Sequence, residues 1–493
     1  MALDPRTPVI IGVGQWSNRV DRGDPPSEPV DMMAEVLRRA GDDSGAGVAG
    51  LRGLDAVRVV RSLSHRYRDP GALVAARLGA SPADTAVSAM GGNEPQVLVT
   101  GAARDIAAGD ADLVAICGAE AWRTRTATRH DPPAWTVQED TVPPARVTSG
   151  EFEMHHPAEV ARGIVLPAQV YALFEQAVRH AAGRTIDEHL VHLGELWSRF
   201  SAVAAGNPHA WVREPLSPEQ VRTASPTNRW ITWPYTKVMN ANNAVEQAAG
   251  LLMASAGRAE ALGVPRDRWV FPVAATSAHD HLAVSHRADL HSSPAIRLAA
   301  RALLELGGCG VDDLAHVDLY SCFPSAVEIA ADEIGLGLGR QLTVTGGLSF
   351  AGGPWNNYVT HALATMCQVL REDPGALGLV TANGGYVTKH ALGLYSTEPP
   401  PDGFRVGDVQ ATVDRFARRD VAETHEGPAT IEAWAVEHDR AGEPRRAIAA
   451  CLTDRGHRCW ATTGDPAALA ELRSGAEQIG RTVKVDADGT LLL

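Results

Sequence analysis

The chain has 493 residues, 45% hydrophobic and 21% charged, an ordinary globular balance with enough apolar side chains for two or three domains with their own cores. Its net charge of −14 disfavours broad attraction to nucleic acid or anionic membrane, and no apolar run reaches the roughly 18–20 residues of a membrane span. The start, MALDPRTPVIIGVGQ, has no apolar stretch behind basic residues, so no secretory signal is expected; six cysteines without CxxC or zinc-finger spacing point to free thiols in a reducing cytosol.

Strand-like and helix-like segments alternate. Val9–Val13 is a short apolar run and is predicted to be a buried strand. Residues 29–40 have helical spacing, and Leu113–Ile116 forms a second apolar strand before Cys117-Gly118. Residues 122–235, rich in Pro, His, Arg and Trp, read as an inserted subdomain with helices near 158–182 and 186–205. Ser293-Pro294 starts a helix, with Ser as N-cap and Pro at the first position, and Gly307-Gly308 ends it. His316–Tyr320 reads as the next strand. Such alternation predicts a layered α/β fold.

A repeat supports duplicated halves. Gly91-Gly92, a helical stretch and strand 113–117 form one unit; Gly352-Gly353, a helical stretch to Leu370 and strand 377–381 form another. Each places a glycine pair at a strand-to-helix turn, where backbone can approach a ligand closely. The halves are expected at 1–265, with the insertion at about 122–235, and at 266–397. A linker at 398–403 follows, then a small β-barrel at 404–493 built from segments such as Ala429–Val436, Ala447–Leu452 and Thr482–Val485.

Several ordered segments carry a family resemblance over roughly residues 6–397. They are P-V-I-I-G-V-G-Q at 8–15, A-A-G-D-A-D-L-V-A-I-C-G-A-E at 107–120, N-P-H-A-W-V-R-E-P-L at 207–216, N-A-N-N-A-V-E-Q-A-A at 240–249, and S-C-F at 321–323. Together they resemble the thiolase superfamily, particularly the sterol-carrier-protein-type thiolases and their divergent relatives. The resemblance implies a five-layered α/β/α/β/α fold whose active site lies where two helix N-termini converge, in lipid or sterol metabolism. Coenzyme A or an acyl-CoA is the implied ligand. A family member attacks the thioester with a cysteine, moves protons with the His of a GHP motif and the Cys of a CxG motif, and holds the oxyanion with an Asn or His.

This chain departs at each of those positions. Residues 345–354 read T-G-G-L-S-F-A-G-G-P, so Gly353 stands in the place of the catalytic His. The nucleophile's position falls on or beside Gly92, in M-G-G-N-E-P with no sulfhydryl nearby. Ala382 replaces the Cys of CxG, and Tyr320 takes the oxyanion-hole position. Covalent acyl transfer by the family route therefore lacks its sulfur. Replacement groups are expected around one pocket: Tyr320 and Cys322 at a strand end, Asn356, Asn357, Tyr358 and His361 after Gly-Gly-Pro, and Tyr386, Lys389 and His390 in the counterpart of the CxG loop. Asn242, Asn243, Gly352 and Gly353 fall where the family contacts coenzyme A.

Each has a structural alternative: Cys322 as a small core residue, His361 as a satisfied buried His, Lys389 and His390 as a solvated pair, Asn242 and Asn243 as caps. His155, His156 and His209 lack metal-ligand spacing, so no metal is expected. Three readings stay open: an acyl-CoA-binding protein with non-covalent carbon–carbon chemistry of the retro-aldol type, a non-catalytic acyl-CoA scaffold, and an acetyl-CoA acetyltransferase using Cys322.

The tail resembles an oligonucleotide/oligosaccharide-binding (OB-like) barrel and the small barrel partners of thiolase-like aldolases. With 12 Lys/Arg against 15 Asp/Glu in residues 404–493, a protein partner fits it better than nucleic acid. The family is built as dimers or tetramers, so a homodimer is expected unless the tail covers the sheet edge and leaves a monomer.

Overall fold

The computed structural model describes residues 3–131 and 133–493. Its first sheet has six strands in the order Pro8–Ser17, Glu246–Ser255, Leu113–Ala121, Ala56–Val59, Asp84–Val87 and Arg146–Val147. The second has five, in the order Leu314–Asp318, Leu377–Gly384, Lys389–Ser396, Phe271–His279 and Arg405–Asp408. The inner strands of both sheets are buried almost throughout, which is why their sequences read as continuous apolar runs and not as alternating ones.

Helices fill the space between the sheets and cover their outer faces. Glu94–Ala108 and Tyr358–Glu372 pack on each other and on strands of both sheets, so they form the central layer. Pro29–Ser44 and Pro70–Leu78 cover the first sheet, and Pro294–Gly307 covers the second. This is the five-layered α/β/α/β/α architecture with two similar halves. Each central helix follows one of the glycine pairs, as the repeat predicts. The cap at Ser293 also forms: its side chain accepts a hydrogen bond from the Ile296 amide, and the helix ends at left-handed Gly308.

The C-terminal region is an antiparallel sheet in the order Arg458–Thr463, Pro444–Leu452, Gly427–His438, Thr482–Val485 and Leu491–Leu492. A bridge between Thr462 and Thr490 brings its two ends together, which fits a small barrel-like domain. Two non-local pairings tie this region to the rest. Strand Arg405–Asp408, just after the Pro-rich segment, runs parallel to Phe271–His279 at the edge of the second core sheet. Strand Trp230–Trp233, from the inserted region, pairs with Val436 and Glu437. The tail is thus built into the core and the insertion, and does not hang from a flexible tether.

The fully buried Arg458 makes the tightest of these ties. Its guanidinium pairs with both oxygens of Glu432 at 2.7 and 2.8 Å and donates to the carbonyls of Val284, Ser285 and Arg287 at 2.8–3.0 Å. The charge-assisted bonds satisfy a cation that would be costly to bury alone.

Candidate functional site

The two central helices point their N-termini towards one cavity of about 530 Å³. Its walls come from the turn at Met90–Gly92, the inserted region at Met154 and Leu166–Tyr171, and the segment Asn240–Asn243. The strand end at Tyr320–Phe323, residues Trp355 and Asn356, and the turn Asn383–Tyr386 complete it. The walls are mostly apolar, with a few amides and phenols, the make-up of a pocket that encloses a chain and fixes it at a few points.

The turn at Gly91-Gly92 owes its sequence to crowding. A Cβ built on Gly92 would collide with the Tyr320 hydroxyl and lie 2.6 Å from the Asn383 carbonyl oxygen and 2.7 Å from Tyr320 Cζ. The phenol therefore fills the space that a nucleophile's side chain would need. A Cβ on Gly353 would lie 2.9 Å from Asn243 Oδ1, so an amide occupies the histidine's position in the same way. Both substitutions read in the sequence are steric replacements and not mere deletions.

The Tyr320 hydroxyl has no hydrogen-bond partner among the described residues, and it borders the cavity. Burial raises its pKa above the ordinary tyrosine range, with Cys322 adding to the shift, so it is a neutral donor near pH 7. Burial also pushes the Cys322 thiol up to about 12. At neutral pH that residue is a thiol and a poor nucleophile. Asn383 Nδ2 donates to the Tyr171 hydroxyl at 2.9 Å, while its Oδ1 is buried without a partner. The cavity lining contains no Asp, Glu, His, Lys or Arg.

Of the residues proposed from sequence, Tyr320, Cys322, Asn243, Asn356 and Tyr386 line the cavity. Tyr358, His361 and His390 do not. Tyr358 donates to Asp318 Oδ1 at 2.9 Å and meets Thr345 Oγ1 at 2.6 Å, bracing the turn that carries Gly346. His361 faces Gln15 Oε1 at 2.9 Å, and burial, helped by His209, drives its pKa down to about 3. His390 lies 3.5 Å from Asp280. A central helix is buried on every face, so helical spacing alone could not separate its cavity-facing residues from its core residues. Lys389 donates to the Met90 carbonyl and holds the glycine turn in place. Asn242, Gly352 and Gly353 shape the wall from behind: the Gly353 amide donates to the Asn242 carbonyl at 3.0 Å, and Gly352, at φ +113°, leaves room for Gln247.

Sequence reasoning missed Trp355, which lines the cavity in a left-handed conformation at φ 48° with its indole Nε1 buried and unpartnered. A non-glycine residue held there marks stored backbone strain, of a kind that clusters at functional sites. The signal available was an aromatic residue immediately after Gly-Gly-Pro. Tyr171 and Asn383 were also missed, because their positions come from the inserted region and from a turn with no family-type side chain.

Outside the cavity, Glu175, His189 and Glu328 bring three ligand-type atoms within 4.8 Å of one another. Tyr235 donates to Glu175 at 2.6 Å, and Arg184 and His192 face Glu328 at 3.1 and 2.9 Å. The cluster pins the inserted helices to Pro324–Ile334 as a hydrogen-bonded network anchored by the Arg184–Glu328 ion pair. No helix among the described residues is long and apolar enough to cross a membrane.

Residues 408–490 match the family described as the thiolase-like protein type 1 additional C-terminal domain. No curated protein matches the chain. Among solved structures, a monomeric SCP2-thiolase-like protein type 1 from Mycobacterium smegmatis is 32% identical with a TM-score of 0.85, and each chain covers the other completely. An Ltp2-ChsH2(DUF35) aldolase is 19% identical with a TM-score of 0.60, matching 80% of this chain and 99% of that one. An acetyl-CoA acetyltransferase from Syntrophomonas wolfei is 14% identical with a TM-score of 0.55, again over 80% and 99%. These last two similarities concern the fold. The full-length match at 32% identity, with the matching C-terminal domain, places this chain in the thiolase superfamily among the SCP2-thiolase-like proteins of type 1.

Proposed function

We propose that this protein binds acyl-CoA thioesters in the central cavity and does not process them by thiolase chemistry. The observation that carries the reading is the Tyr320 hydroxyl standing where a nucleophile's side chain would have to be. Two features add to it: the cavity lining has no titrating acid or base, and Cys322 is held as a thiol. Apolar walls from Met154, Pro167, Phe323 and Leu348 suit a pantetheine-like chain, and the unpartnered Asn383 Oδ1 and Trp355 Nε1 offer one acceptor and one donor for its amides.

The experiment is calorimetric titration with coenzyme A, acetyl-CoA and a longer acyl-CoA. Micromolar affinity, about −8 kcal/mol, with no thiolysis or condensation supports the reading. No heat with any of the three overturns it.

A second reading is favoured by one observation, the free phenol of Tyr320 inside the cavity. As a neutral donor it would polarise a thioester carbonyl and stabilise the enolate released when a β-hydroxyacyl thioester undergoes retro-aldol cleavage. A base for the β-hydroxyl would then have to come from a partner, for which the C-terminal domain would be the docking surface. The likeness to a two-component aldolase fits this version at the level of fold. The protein is further read as cytosolic, and as a monomer, the state described for its relative from M. smegmatis.

A further inference from the structure

A second cavity, of about 670 Å³, adjoins the first, and Leu63 and Met90 form part of the wall of both. It lies between the loop at residues 61–70 and the segment at 137–151. One part of its lining is apolar, from Met33, Val59, Pro70, Val87 and Val147. The rest of the lining carries Arg61, Arg66, Arg68 and His65 within eight residues of sequence, together with the carboxylates of Asp140 and Glu151.

The enclosing segment is pinned. Arg61 pairs with Glu151 at 2.8 Å and Arg68 with Asp140 at 2.9 Å, while Gln138 Oε1 accepts from the Arg68 and Asp69 amides at 2.8 Å. His65 faces the Thr136 carbonyl at 2.9 Å. Buried Glu120 fixes the shared wall from behind by accepting from the amides of Leu63 and Ser64 at 2.7 and 2.8 Å. These contacts use two of the three guanidinium groups. Arg66, at the solvent edge, has no hydrogen bond or ion pair among the described residues.

We propose that this second cavity receives the acyl portion of the thioester and selects acyl groups that end in a carboxylate, with Arg66 as the cation that meets it. The inference rests on the acyl-CoA reading of the central cavity. Apolar walls match the methylene chain, and the guanidinium offers two parallel N–H donors to a terminal carboxylate, a geometry that a methyl-ended chain cannot use.

The test compares acyl-CoA pairs of equal length by calorimetry: adipyl- with hexanoyl-, suberyl- with octanoyl-, and sebacyl- with decanoyl-CoA. The expected result is about a tenfold tighter Kd for the carboxylate-ended member of at least one pair. Arg66→Gln should abolish that preference and leave the methyl-ended affinity unchanged; because Arg66 is exposed and unpaired, the variant should fold normally. The preference should also shrink as salt is raised. Equal affinity within every pair, or a preference that survives Arg66→Gln, overturns the inference while leaving acyl-CoA binding intact. Failure of all the thioesters and coenzyme A to bind overturns both.

Discussion

The hydroxyl of Tyr320 occupies the space into which any side chain at Gly92 would grow. One residue is lost to chemistry and the other fills the gap, so the two must be considered as a pair. Gly92→Ala should cost about 1–3 kcal/mol by overpacking. Tyr320→Phe in the same chain should recover part of that loss, but not all, because the Asn383 carbonyl stays 2.6 Å and the ring Cζ 2.7 Å from the new Cβ. Urea midpoints of the two single variants and the double variant measure the coupling. Strict additivity would mean that the two residues do not compete for space.

Cys322 should resist alkylation in the native protein. With its pKa near 12, only about one molecule in ten thousand carries the thiolate at pH 8. Iodoacetamide labelling followed by peptide mass spectrometry should show Cys322 modified only after denaturation, and Cys322→Ala should leave acyl-CoA affinity unchanged. Fast native labelling would restore the acyltransferase reading.

The small residues that mark the lost chemistry can be read directly from the sequence, because Gly92, Gly353 and Ala382 sit in ordered motifs. What fills the vacated space cannot. Asn243 reaches Gly353 from the segment before strand Glu246–Ser255, and Tyr320 reaches Gly92 from the other half of the molecule, so both replacements depend on tertiary placement. Tyr358 and His361 sit one helical turn apart after Gly-Gly-Pro, yet the helix that carries them is buried between two sheets, and its polar side chains are spent on Asp318, Thr345 and Gln15. The layered fold was legible because strand runs and glycine turns are local signals. The addition of Arg405–Asp408 to a core sheet, and of Trp230–Trp233 to the C-terminal sheet, left no local trace.

Those added strands bear on assembly. Arg146–Val147 covers one edge of the first sheet, and Arg405–Asp408 covers one edge of the second. These outermost strands are only two and four residues long, and so short an edge offers little ladder to a second copy. Size-exclusion chromatography with light scattering should therefore give a single species near 52.2 kDa. A mass near twice that value would show that another surface supports a dimer.

Arg458 should be the most sensitive residue of the C-terminal domain. Arg458→Met leaves Glu432 without its main partner and removes the donors from three backbone carbonyls of the 284–287 loop. Breaking a buried pair from one side costs about 3–5 kcal/mol, so the expected result is a large fall in thermal midpoint. The double variant with Glu432→Gln should lose less than the single one. A double variant as unstable as Arg458→Met would show that the carbonyl contacts, and not the stranded carboxylate, dominate.

His361 should make the fold sensitive to mild acid. Burial, with the charge of His209 behind it, lowers its pKa to about 3, against an ordinary value of 6.5. The native state therefore refuses a proton that the unfolded chain accepts. The stability this residue contributes is fully present above pH 6.5 and drains away as the pH falls towards 3. Between pH 7 and pH 5 the loss from this one group is about 2 kcal/mol. His189, lowered to about 4 by burial, acts in the same direction and stays in place as background. His361→Asn keeps a donor for Gln15 and cannot titrate, so its urea midpoint should fall less between those two pH values than that of the wild type, even if the variant starts from a lower stability. An identical fall in both proteins would mean that His361 is already protonated in the native state, contrary to its place in the dry central layer.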